Sequence, residues 1–354
     1  MRHYRYSLGL MVIGLFLSLM GCGQKGESTP GQGPIMSLAD SIPIPESSIL
    51  YHSTVLDMAI DDSGHFYMSD NTTRRILQTE PPFTRCWVLG GPGLGPGEYF
   101  TPWFLDVSEG YLFYSNLGSS LIKSMNIKHN TTTKTQDISV PAVASHVLVY
   151  QDTLVIYNDV NIPPLRVYSI HTSTPQLIGK GVRTEQRYEL AARRVAASGG
   201  LDVSRDGIIY TIPVSHFAIH AYNMQAKFLS TLDIQDPPHY VPFSNDLYKQ
   251  SQSEKMQEWQ EAIVSFSHIY GLWLVQCQDG SQDVVVESHL PNTESNVHVY
   301  HFIDLATGRI LQTNLLRNLA LKAVQGSNLY FFQSRQQKDG SWNLVAMKVY
   351  QYNL

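Results

Sequence analysis

The strongest constraint on this chain is a phrase that returns at intervals of roughly fifty residues. Its clearest copy begins with Leu56, Met58 and Ile60 at period two, breaks at Asp61-Asp62-Ser63-Gly64, and resumes as Phe66-Tyr67-Met68. Apolar residues at period two on either side of a turn rich in Asp and Gly predict a β-hairpin. The phrase returns at 104–116 around Glu109-Gly110, at 145–157 around Gln151-Asp152, and at 200–212 around Arg205-Asp206-Gly207. Weaker copies occupy 263–276 and 319–334. Further strand-like runs follow each hairpin, giving about four strands per unit. In the fifth unit they are placed at 263–269, 271–276, 297–305 and 310–313, and a Pro-interrupted apolar stretch at 42–50 is read as an edge strand. Six units of this kind predict an all-β chain built as a six-bladed β-propeller with four-stranded antiparallel blades.

Two stretches break the period. Residues 184–198 read as a short helix or basic loop before the fourth blade. Residues 242–261, with Leu247, Met256 and Trp259 among polar neighbours, read as a short helical insertion between blades four and five. Insertions between blades lie on a rim of the disc, where specificity elements are expected.

The N-terminus reads as an address. Arg2, His3 and Arg5 precede an apolar run from Leu8 to Met20, too short to span a bilayer comfortably. The run ends in Leu19-Met20-Gly21-Cys22, which resembles the lipobox of bacterial lipoproteins; that resemblance implies cleavage before Cys22 and lipidation of its thiol. Residues 1–21 are assigned to a signal peptide, 22–41 to the lipidated Cys and a flexible Gly/Ser/Pro tether, and 42–354 to the propeller. Gly23 after Cys22 favours the outer membrane. The net charge of -5, with no basic cluster beyond the leader, argues against nucleic-acid binding. Cys86 and Cys277 fall in different units and are expected to be separate thiols.

Within the first unit, residues 59–70 resemble the NHL repeat, in which an Asp- and Gly-containing turn leads into an aromatic strand ending in Asp. Gly95-Pro96-Gly97-Glu98-Tyr99, before Pro102, resembles the linker between NHL blades. The chain is also similar to the six-bladed, NHL/TolB-like propeller lipoproteins of Bacteroidetes-type envelopes. The resemblance implies a monomeric propeller in the cell envelope, and some propellers of this type are metal-dependent lactonases with ligands at the channel mouth.

Aligning the units on their turns places Ala59, Asp106, His146, Asp202, Ser267 and Lys322 at matching inner-strand positions. Of these, Asp106, His146, Asp202 and Lys322 are the channel-mouth candidates for binding a ligand. Trp103 and Trp259 are the rim candidates. Asp61 and Asp206 are expected to accept turn amides, with Gly64 and Gly207 at positive φ. Glu98 is expected to hold the Gly-rich linker. The pairs His216/His220 and His298/His301 lie in strand-like sequence and are read as structural. No nucleophile elbow, Cys-x-x-Cys pair or His-Glu-x-x-His helix occurs. The expected function is therefore a binding scaffold for a protein, peptide or glycan, without a cofactor. The alternative is a lactonase-like hydrolase holding Ca or Zn at the channel.

Overall fold

The structure, a computed structural model, describes residues 35–354 apart from 94–97, 117–120, 128–134, 140–145, 158–163, 171–174, 182–198, 215, 236, 245–264 and 292–296. Cys22, Trp259, the expected insertion at 184–198 and all but residues 242–244 of the one at 242–261 fall outside the described residues.

Six four-stranded antiparallel sheets follow one another along the chain. Their inner strands are Val55–Ile60, Pro102–Ser108, His146–Tyr150, Gly200–Val203, His268–Gln276 and Leu319–Gln325. Each inner strand touches the next, and the sixth touches the first, so the ring closes around a central channel. This is the six-bladed propeller that the repeat implies.

The turn chemistry follows the sequence. The Asp61 carboxylate accepts the amides of Ser63 and His65, each at 2.9 Å, and the Tyr67 hydroxyl at 3.0 Å. Gly64 and Gly207 adopt φ of +83° and +77°, where a side chain would be strained. In blade four Ser204 takes the place of Asp61, its hydroxyl accepting the Ile208 amide while donating to Asp206. Tyr99, at the end of the Gly-rich linker, is fully buried; its hydroxyl accepts the Ile76 amide and donates to the Leu89 carbonyl. It ties the linker to the outer half of blade one. Glu98 lies over Gly93, and its carbonyl accepts from the Lys123 ammonium at 2.9 Å. Cys86 and Cys277 are free thiols in blades one and five.

Two features differ from the sequence reading. The outer strand of blade six is supplied by Met36–Pro43, paired antiparallel with Trp342–Tyr352 from Met36↔Tyr352 to Pro43↔Ala346. Residues 36–41, assigned to the tether, thus belong to a propeller strand, and the edge strand lies earlier than 42–50. Within that stretch Ile49–His52 forms a 3-10 turn, whose buried Leu50 joins the core beneath blades one and six. The second difference is in blade five. The residues read as two strands, 263–269 and 271–276, contain one inner strand, His268–Gln276. Its partner is Gln282–His289, which the sequence reading left unassigned. A bulge between Ile269 and Gly271 had the look of a turn.

Between blades the fit is tight. A methyl group on Gly200 would stand 2.4 Å from the Leu272 amide nitrogen and 2.5 Å from its Cβ, in the seam between blades four and five. The obstruction is largely backbone, so Gly200→Ala is expected to push the two inner strands apart. We expect a loss of about 1–3 kcal/mol, read as a lower urea midpoint at unchanged slope. An unchanged midpoint would mean that the seam is loose.

Candidate site at the channel mouth

All six inner strands contribute to a cavity of about 560 Å³ at the channel. Its construction depends on bulges. Register shifts occur in the inner strands between Val55 and Asp57, Pro102 and Leu105, Ile269 and Gly271, and Leu321 and Ala323. The residues skipped there are Leu56, Trp103 with Phe104, Tyr270, and Lys322, and every one of them lines the cavity. A bulge re-aims a side chain that regular pleating would alternate away. Trp103, expected on a rim, thus belongs to the same site as the channel residues.

Polar stitches run from blade to blade along the channel. The Asp57 carboxylate accepts the Leu105 amide of blade two at 2.9 Å. Asp106 accepts Val149 of blade three and its own neighbour Val107. Asp202 accepts Leu274 of blade five at 2.7 Å and Val203 at 2.7 Å. Lys322 donates to the Leu56 carbonyl at 3.1 Å, joining blades six and one. His146 sits 3.1 Å from the Gly199 carbonyl through Nε2, with its ring against Phe104.

The four sequence candidates line the cavity, and both oxygens of Asp106 and Asp202 are already committed to amides. Two turn-based positions are corrected. Blade one contributes Asp57 to the stitching rather than Ala59: the two share a face of the strand, and the longer hairpin loop of blade one, 61–65 against Glu109-Gly110 in blade two, offsets an alignment made on the turns. Ser267 is fully buried away from the channel and its hydroxyl accepts the Val241 amide, so blade five presents Tyr270 and Trp273 instead.

Enclosure by protein raises the carboxyl pKa of Asp57 to about 6, Asp106 to about 7 and Asp202 to about 6, against the pull of the amide hydrogen bonds. For Asp106 the neighbouring charges of Asp202 and Asp57 add to the rise. Each of these side chains keeps part of its surface open to the channel, whose water tempers the desolvation. Burial lowers the Lys322 pKa, while Glu287 and Asp57 hold its proton on.

One wall carries a cluster that the sequence reading missed. Glu287 and His289 share a face of Gln282–His289, two residues apart. The pairings Glu287↔Tyr300 and Ser288↔Val299 bring His289 opposite His298 on the next strand. His289 Nε2 lies 3.0 Å from Glu287 Oε1, and His298 Nδ1 lies 2.6 Å from the same oxygen. Tyr270 stacks on His289 with centroids 4.0 Å apart, and His289 meets His298 edge-on at 4.6 Å. Burial alone would raise the Glu287 pKa; hydrogen bonds and charge from the two imidazoles outweigh it and hold the carboxyl below the usual carboxylate range. All three residues border the cavity. His298 was assigned to a pair with His301, which instead is buried in the blade, bonded to Ser288 and Thr313. The detectable signal was Glu-x-His at period two, in the strand left unassigned.

Among solved structures the chain is similar to an exported protein from Bacteroides fragilis, with 12% identity over 91% of this chain and 97% of that one, at a TM-score of 0.62. A member of the DUF4221 family from Bacteroides vulgatus aligns over 90% of this chain and 99% of that one at 8% identity and a TM-score of 0.52. A catalytically inactive virginiamycin B lyase from Staphylococcus aureus, solved with quinupristin, aligns over 92% and 98% at 10% identity and a TM-score of 0.50. At these identities the likeness establishes the shared propeller fold. No protein-family model and no curated protein matches the sequence.

Proposed function

We propose that this protein is a cell-envelope lipoprotein, anchored through Cys22, whose monomeric propeller binds a peptide or glycan segment at the mouth of its central channel. The observation that carries the reading is the cavity of about 560 Å³, to which every blade contributes and into which four bulges aim Leu56, Trp103, Phe104, Tyr270 and Lys322. Its size suits a small ligand or one end of a chain, and aromatic walls beside a few fixed polar groups are the usual composition of such sites. Aromatic faces supply contact area, and the stitches between blades keep the channel rigid before the ligand arrives. The lipobox-like Leu19-Met20-Gly21-Cys22 supports the envelope address, as does the likeness to an exported Bacteroides protein. The outer membrane is the favoured location.

The test is a thermal-shift and tryptophan-fluorescence screen of short peptides and oligosaccharides, repeated on Trp103→Ala and Tyr270→Ala. A binder of the wild type is expected to lose at least about tenfold in affinity in each variant, near 1.4 kcal/mol. A binder indifferent to both substitutions would move the site off the channel.

A second reading, a metal-dependent hydrolase, is favoured by one observation: the Glu287–His289–His298 cluster opens on the same cavity. Two imidazoles and a carboxylate with a free side towards the substrate form the donor set of hydrolytic zinc sites. A metal-dependent ester or lactone hydrolysis by the wild type, lost in His298→Ala, would put this reading ahead of the plain scaffold.

A further inference from the structure

We propose that Glu287, His289 and His298 bind one zinc-class divalent ion, and that its open coordination position faces the channel cavity. Three donors converge from two adjacent strands: His289 Nε2, His298 Nδ1 and a Glu287 oxygen, all within 4.8 Å of one another. Both imidazole nitrogens approach the same carboxylate oxygen, at 3.0 and 2.6 Å. Around a tetrahedral ion with bonds of about 2.1 Å, donors stand about 3.4 Å apart. The two oxygen–nitrogen separations therefore have to lengthen by about 0.4 and about 0.8 Å to admit the ion, shifts within reach of side-chain rotation.

The donor chemistry selects the metal. Calcium takes six to eight oxygens, whereas two imidazoles and one carboxylate suit zinc and its first-row neighbours. The surroundings are built to hold the donors in place. The Glu287 side chain is 8% exposed, that of His298 11% and that of His289 18%, so the cluster is enclosed yet reachable from the cavity. Tyr270 stacks on the His289 ring, and the Tyr300 ring lies parallel to His298 at 6.1 Å. Tyr300 is itself pinned, its hydroxyl accepting the Leu321 amide at 2.8 Å. Lys322 lies close enough for its charge to feel Glu287. Beside the ion it leaves the open position suited to an anionic oxygen, such as a ligand carboxylate. This last role rests on the cavity being the ligand site; the metal site itself does not, and it is measured with metal alone.

Equilibrium dialysis of the purified, chelator-stripped protein against Zn2+ is expected to give one ion per chain. His289→Ala and His298→Ala are each expected to weaken binding at least about 100-fold. His65→Gln, in the hairpin turn of blade one, is expected to leave it unchanged. A spectroscopic measurement on the wild type guards against variants that fail to fold. Co2+ is expected to give the intense visible bands of a four- or five-coordinate site, and azide is expected to shift them by entering the open position. The pale spectrum of hydrated Co2+, or zinc binding that survives loss of both histidines, would overturn the site. Bands unmoved by azide would overturn the open position. A positive metal result with no hit in the ligand screen would leave the site standing and count against the binding function alone.

Discussion

A chain starting at Pro45, compared with one starting at Ile35, is expected to melt about 6–24 °C lower and to self-associate. The shorter chain lacks the strand Met36–Pro43, which, among the described residues, fastens the last blade to the beginning of the chain by a β-ladder. It also lacks Ile35 and Ile44, which are 2% and 4% exposed. Burying two such side chains is worth about 3–6 kcal/mol, and 1 kcal/mol corresponds to roughly 2–4 °C in a domain of this order of size. The ladder hydrogen bonds add little net free energy, because ordering the strand costs a comparable amount. Their loss has another consequence. Trp342–Tyr352, the longest strand described, becomes an unpaired edge flanked by apolar residues, and such edges pair with other chains. Scanning fluorimetry with light scattering measures both effects. Equal melting temperatures and a monomeric truncated chain would show that closure of blade six contributes nothing to stability.

The second large effect is a pH dependence centred on His301. Its ring is 0% exposed, held between Ser288 Oγ and Thr313 Oγ1, each at 3.1 Å, with the Phe217 ring edge-on at 5.0 Å. Burial, with a smaller contribution from the charge of His239, pushes its pKa down to about 3 from 6.5. A histidine held neutral in the fold contributes stability that is present above its unfolded pKa. That stability is lost as pH falls from 6.5 towards 3, because the unfolded chain takes up the proton first. At pH 5 the loss is about 2 kcal/mol, from about 1.36 kcal/mol per pH step below 6.5. The channel aspartates act in the opposite direction. Their raised values mean that protonation favours the fold, so their contribution grows as pH falls from 7 towards 4. The His301 term is therefore isolated by comparison with His301→Gln. The stability advantage of the wild type in urea is expected to shrink by about 2 kcal/mol between pH 7.5 and pH 5. A gap that stays constant with pH would mean that His301 is not held neutral.

The hairpins were legible because their signals are local: Asp61, Gly64, Ser204 and Gly207 specify turns within a few residues, and the apolar alternation around them specifies strands. Repetition of that unit made the blade count and the ring legible too. Asp106, His146, Asp202 and Lys322 were placed on the channel for the same reason. The bulges were not legible. They insert a residue without a consistent sequence mark, and the one at Tyr270 decides that Tyr270 rather than Ser267 serves the centre; unequal hairpin loops decide that Asp57 rather than Ala59 does. The closing strand Met36–Pro43 was hidden because its partner lies some three hundred residues away, and its own pattern is mostly polar and exposed. The Glu287–His289–His298 cluster was hidden twice over. Its strand was left unassigned, because the bulge at Tyr270 made the one inner strand read as two, and His298 was paired by sequence spacing with His301, whereas strand register pairs it with His289.

The channel mouth is the proposed working site of this propeller, with the two histidines and Glu287 as its chemical core. The most direct measurement is an X-ray data set on crystals of the protein soaked in zinc and recorded at the zinc absorption edge. The account predicts one strong anomalous peak within bonding distance of His289 Nε2, His298 Nδ1 and a Glu287 oxygen, with its remaining coordination directed into the cavity. An anomalous map without density at that point would contradict it, even if zinc were bound elsewhere on the surface.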